Sequence, residues 1–111
     1  MASNELICIC GPMASSKTTK LLMYVEKYKY QHKNIAAFKP CIDSRYSLSE
    51  IVSHGGWKLK ALSVEKGSDM LKIMSEATHD YDVVAVDEMF MIPGSAEALL
   101  WLYKQGLTVI A

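Results

Sequence analysis

The stretch Cys10-Gly11-Pro12-Met13-Ala14-Ser15-Ser16-Lys17-Thr18-Thr19 decides how this chain is read. An apolar run, Leu6-Ile7-Cys8-Ile9-Cys10, precedes it, and apolar residues at helical spacing follow from about Lys17. A strand, a tight loop and a helix N-terminus therefore succeed one another, with Lys-Thr at the junction. This is the form of the phosphate-cradling P-loop, G-x-x-x-x-G-K-[ST], with Ser16 where the second glycine belongs. In such a loop the backbone N–H groups of residues 11–17 point at phosphate oxygens, and the positive end of the helix strengthens their field. Lys17 then bridges the β- and γ-phosphates, and the Thr18 hydroxyl ligates Mg2+. If position 16 needs a positive φ, serine there costs about 1–3 kcal/mol. That is enough to weaken nucleotide binding by about ten- to a hundredfold unless the loop shifts.

Outward from this loop the chain alternates strand and helix patterns. Strand character covers residues 6–10, and a helix is expected over 17–30, with Leu21, Leu22, Val25 and Tyr28 on one face. A second strand at 34–39 is stopped by Pro40. Two short extended pieces, 50–53 and 58–62, flank His54-Gly55-Gly56 and suit a hairpin. A helix over 68–78 carries Met70, Leu71, Ile73 and Met74. The run Val83-Val84-Ala85-Val86 within 82–87 reads as a strand buried on both faces. A helix over 95–105 ends at Gly106, which reads as its C-cap, and a last strand covers 107–111. The fold class is therefore α/β: a mostly parallel sheet with flanking helices, which takes its ligands at the carboxyl ends of the strands. The last strand reads as an interior one with nothing after it to cover it, so the sequence looks cut off at that end.

Composition narrows the function. The 111 residues make one domain, half of them hydrophobic, with a formal net charge of zero. Charge balance argues against a general nucleic-acid or membrane-surface binder. No apolar run approaches the roughly 18 residues of a membrane span. Met1-Ala2-Ser3-Asn4-Glu5 has neither the basic nor the apolar region of a secretory signal, so the expected location is cytoplasmic. Cys8, Cys10 and Cys41 contain no C-x-x-C pair and read as reduced, buried thiols.

Two further groups of residues carry chemistry. The buried strand ending in Asp87-Glu88, about seventy positions after the P-loop, has the form of a Walker B element. Asp87 would serve Mg2+, and Glu88, one residue on, is free to act as a general base. Adjacent carboxylates at a buried strand end are otherwise costly to desolvate. The segment Lys39-Pro40-Cys41-Ile42-Asp43-Ser44-Arg45-Tyr46 follows the second strand and so belongs to the same rim. Arg45 there suits a transferring phosphoryl group, and Asp43 a hydroxyl or the metal's waters; composition alone leaves a polar loop. His54 reads as a turn residue, and His32 and His79 as surface. Lys20, Lys27, Lys29 and Lys33 read as a solvated face. Met89 and Met91 lie next to any substrate pocket.

Gly11-Pro12-Met13-x-Ser15-x-Lys17-Thr18-Thr19, Phe38-Lys39-Pro40-x-x-Asp43-x-Arg45-Tyr46-Ser47, Val52-Ser53-His54-Gly55 and Val86-Asp87-Glu88 occur in this order. In sequence and spacing they resemble the motifs of the type II thymidine kinases. That resemblance implies a RecA-like P-loop NTPase core that transfers the γ-phosphoryl of ATP to the 5′-hydroxyl of thymidine with Mg2+. Residues 11–19 (Gly11, Pro12, Met13, Ala14, Ser15, Ser16, Lys17, Thr18, Thr19) then hold ATP, and Thr18 and Asp87 the metal. Glu88 takes the 5′-hydroxyl proton, and Asp43 and Arg45 line the transfer region. A cytosolic homo-oligomer, a tetramer in the family, is implied, with neither nucleic acid nor membrane as partner. The chain departs from the family pattern at Ser16 and at Phe90-Met91, where the family has Gln-Phe. The family continues into a zinc subdomain and a base-wrapping lasso loop. Residues 1–111 are therefore expected to form a single, incomplete P-loop nucleotide-binding domain with no zinc site, binding ATP with little turnover on its own. The alternative is a catalytically impaired nucleotide-binding or assembly protein derived from the same fold. An unrelated P-loop ATPase fits the Asp43-x-Arg45-Tyr46-Ser47 segment less well.

Overall fold

The computed structural model describes residues 4–9, 14–41, 48–52, 58–77 and 80–111. In chain order the elements are β1 (Leu6–Ile7), α1 (Ala14–Tyr30), β2 (Ile35–Pro40), β3 (Leu48–Val52), β4 (Lys58–Val64), α2 (Gly67–Ser75), β5 (Val83–Val86), a 3-10 turn (Met89–Met91), α3 (Ser95–Lys104) and β6 (Thr108–Ile110). The strands form a six-stranded sheet in the order β1-β6-β5-β2-β4-β3, so the last strand is an interior one. All neighbours run parallel except β3 and β4, which pair antiparallel from Leu48↔Leu62 to Val52↔Lys58. The α/β class with a mostly parallel sheet and flanking helices stands, as does the antiparallel pairing of the two extended pieces. Their connection, with His54, lies outside the described residues.

The period of two in β5 builds both halves of the core. Val83 and Ala85 face α1, joining Leu21, Leu22, Val25 and Tyr28, with Ala37 and Ile110 from the neighbouring strands. Val84 and Val86 face the other way, onto Met70 of α2 and Ala98, Leu99 and Leu102 of α3, with Phe38 and Val109 beside them. Because helices cover both faces, β5 has no polar position, and each fully buried aliphatic side chain contributes about 1.5–3 kcal/mol. His32, Lys20, Lys27, Lys29 and Lys33 stay exposed. Among the described residues no helix is long and apolar enough to cross a membrane.

Several boundaries differ from the sequence reading. Helix α1 begins at Ala14, so residues 14–16 form its first turn and not a loop. Ser16 therefore has a helical backbone. Among the described non-glycine residues, positive φ occurs at His32 and Glu88 only. The condition under which Ser16 would be strained is thus not met. Strand β2 runs through Pro40, and the ladder continues as the Cys41 N–H donates to the Val64 carbonyl at 2.8 Å. A proline ends a strand here without breaking it. Helix α2 stops at Ser75, short of residue 78, and the Ser75 hydroxyl there bonds the Lys72 carbonyl at 2.8 Å. Cys8 is exposed and Cys41 half-buried, against the reading of buried thiols. The edge position of β1 explains Cys8, because Ile7 and Ile9 take the inward positions and the residue between them faces out. Cys10 lies outside the described residues.

Gly106 does cap α3. Its φ is +103°, its N–H bonds the Tyr103 carbonyl at 3.0 Å, and the Leu107 N–H bonds the Leu102 carbonyl at 3.3 Å. These two bonds make a Schellman ending, which turns the chain sharply into β6.

Candidate functional site

Strand β5 ends beside the start of α1, and the two termini bring separated residues together. The Thr18 hydroxyl, buried in the first turns of α1, donates to both oxygens of Asp87, at 3.2 and 3.3 Å, across 69 residues of chain. Asp87 is itself fixed by the sheet, since its N–H donates to the Phe38 carbonyl of β2 at 3.0 Å. Burial pushes the Asp87 carboxyl above its ordinary range, and the charge of Glu88 adds to the rise. The Thr18 hydroxyl, the Lys39 ammonium and the Glu88 backbone N–H act in the opposite direction. A half-buried carboxylate held against a hydroxyl offers two hard oxygen donors. That donor set suits a small divalent cation that completes its shell with water and a ligand's oxygens. Among the described residues no three His, Cys, Asp or Glu side chains gather as a metal cluster.

Glu88 leaves the strand in the left-handed region, at φ 52° and ψ 46°. For a non-glycine residue this costs about 1–2 kcal/mol. The turn that follows holds the strain in place. The Met91 N–H bonds the Glu88 carbonyl at 2.9 Å, and the buried Ser95 hydroxyl bonds the Met89 carbonyl at 2.8 Å. The carboxyl ends of the strands, the first turns of α1 and this turn enclose a cavity of about 50 Å³, lined by Ile9, Lys17, Leu21, Asp87, Glu88 and Phe90 among others. That is room for a few waters. The Lys17 ammonium sits over the Phe90 ring, 5.4 Å from its centroid.

Of the residues singled out in the sequence, Lys17, Asp87 and Glu88 thus line one cavity, and Thr18 joins them through its hydrogen bond to Asp87. Ala14, Ser15, Ser16 and Thr19 lie in the first turns of α1, the end of a helix whose backbone N–H groups favour an anion. Gly11, Pro12, Met13, Asp43 and Arg45 lie outside the described residues, as does His79. Met89 lines the cavity, whereas Met91 is exposed. Sequence reasoning gave no role to Lys39, Phe90 or Ser95. Lys39 is placed by strand register, which no local pattern gives: Phe38 pairs with Val86, so the next residues along, Lys39 and Asp87, lie side by side. Phe90 and Ser95 had no signal either, because the 3-10 turn that places them has no marked pattern.

The thymidine kinase family model matches residues 4–111. A curated thymidine kinase from Pyrobaculum aerophilum is 37% identical over 106 residues, which cover 96% of this chain and 57% of that protein. The chain thus spans little more than half the length of this relative. A match over almost every residue, together with the Thr18–Asp87 pairing at the carboxyl end of a parallel sheet, places the chain in the thymidine kinase family.

Proposed function

We propose that residues 1–111 form the ATP-binding domain of an enzyme that transfers the γ-phosphoryl of ATP to the 5′-hydroxyl of thymidine or a related deoxynucleoside. The observation that carries this reading is the contact of Thr18 with Asp87, since a P-loop hydroxyl beside a strand-end carboxylate is what a phosphate-bound Mg2+ requires. In this reading Thr18 and Asp87 hold Mg2+, which when bound neutralises charge on the phosphate oxygens. The Lys17 ammonium leaves its present position for the β- and γ-phosphates, and the N–H groups at the start of α1, with residues 11–13, cradle them. Glu88 accepts the proton of the 5′-hydroxyl. The left-handed turn at Glu88 aims this side chain independently of Asp87, so neighbouring carboxylates serve different partners. Asp43 and Arg45 are assigned to the phosphoryl-transfer region on the family resemblance. The same resemblance supports a cytoplasmic homo-oligomer, with the base-binding and zinc-bearing parts contributed by sequence beyond this domain.

Calorimetric titration of the chain with Mg-ATP tests the proposal. Binding is expected, weakened about ten- to a hundredfold by Lys17→Ala, the loss of charge-assisted hydrogen bonds to phosphate. Failure to bind, or equal binding by Lys17→Ala, would contradict it.

A further inference from the structure

Phe90 is a large apolar side chain left 69% exposed, and its ring lies under the Lys17 ammonium at 5.4 Å. That distance is within the roughly 6 Å over which a ring face attracts a cation. Asp87 and Glu88 line the same cavity, yet among the described residues Lys17 makes no ion pair with either. The geometry of the 3-10 turn makes this possible. The left-handed Glu88 reverses the chain, Ser95 anchors the Met89 carbonyl, and the next residue, Phe90, is set beside the start of α1.

We propose that Phe90 competes with polyphosphate for Lys17: its ring holds the ammonium while the phosphate site is free and must release it when a nucleoside triphosphate enters. The ammonium has three hydrogens, and those turned to the ring are withheld from the β- and γ-oxygens, so each binding event weakens one contact to make the other. Phe90 thereby sets affinity without touching the ligand and is a positioning residue. This rests on the phosphate-site reading above, and the test separates the two.

The Lys17 ε-methylene protons, assigned by comparison with Lys17→Arg, are followed by NMR while inorganic tripolyphosphate is added, and Mg-ATP affinity is measured by calorimetry. In the free protein these protons are expected upfield, shifted by the ring current. They return to the ordinary lysine position on adding tripolyphosphate and start there in Phe90→Leu. Phe90→Leu is expected to bind tripolyphosphate and Mg-ATP about two- to fivefold more tightly, and Phe90→Trp more weakly by a similar factor. Unshifted protons in the free protein, or Phe90→Leu binding equally or less tightly, would overturn the competition while leaving the phosphate site standing if Lys17→Ala still loses affinity. No binding by the unaltered chain would overturn both.

Discussion

Glu88 concentrates the tension of this site in one residue. On the proposed function a carboxylate is needed where the backbone turns left-handed, and only glycine adopts that conformation without cost. Replacing Glu88 by glycine should therefore stabilise the ligand-free protein by about 0.5–1 kcal/mol, a rise of about 2–8 °C in melting temperature by calorimetry. Glu88→Ala, which keeps the strain, should gain less. A glycine variant melting no higher than the alanine variant would show that the turn is not strained. Asp87 presents the electrostatic counterpart. Its folded carboxyl titrates above the unfolded value, so its contribution is fully present below the ordinary carboxylate pKa and is lost as pH rises through the folded one. At neutral pH the ionised group opposes folding, and on the proposed function a bound cation offsets this. Asp87→Asn should raise the ligand-free melting temperature at pH 7, and the difference should narrow at about pH 3, below the ordinary carboxylate range, as read by thermal scans at the two pH values.

At the scale of elements, the ends matter more than the middles. Gly106 sits at φ +103° in the Schellman ending of α3, with no atom within 4 Å of where a Cβ would stand. Gly106→Ala should thus cost about 1 kcal/mol through backbone strain alone, seen as a lower denaturant midpoint with unchanged slope. Gly67 differs, because a Cβ there would meet the Gly94 carbonyl oxygen at 2.2 Å where α2 abuts the turn before α3. These elements illustrate what the sequence makes legible. The apolar run of β5, the period of α1 and the glycine after α3 each report a local requirement, and all three stand where read. The first turn of α1 did not announce itself, because Ser15 and Ser16 are N-cap residue types that point to a start at Lys17, and a motif pattern counts residues without giving their dihedrals. The 3-10 turn was illegible for a related reason: its conformation is imposed by Glu88 and by Ser95 on the following helix.

Across the whole molecule, topology does what local sequence cannot. Placing β5 and β6 between β1 and β2 sets the start of α1 against the end of β5, and residues 18 and 87 become neighbours. The paired acids and the Lys-Thr were visible as separate motifs; their meeting depends on strand order, and the Lys17–Phe90 contact was not visible at all. The opposite end of the sheet is closed by the N-terminal segment. The Asn4 amide donates to the Tyr103 and Leu107 carbonyls, both at 2.8 Å, and the Tyr28 hydroxyl of α1 donates to the Glu5 carboxylate. Burial, with Glu5 adding to it, pushes the Tyr28 phenol up to about 12. Its contribution is therefore complete below the ordinary tyrosine pKa of about 10 and is lost as pH rises through about 12. Tyr28→Phe should cost about 1–3 kcal/mol at about pH 8, measured by denaturant unfolding, and the deficit should shrink toward pH 12.

On the proposed function, Thr18 and Asp87 act as one cation site for a bound polyphosphate. A double-mutant cycle on the Mg2+ dependence of ATP affinity tests this most directly, with Thr18→Ala, Asp87→Asn and the pair measured by calorimetry with and without Mg2+. Each single change should remove most of the Mg2+ enhancement and the double change little more, a coupling of about 1 kcal/mol or greater. Additive losses, or an ATP affinity indifferent to Mg2+ in the unaltered chain, would contradict the account.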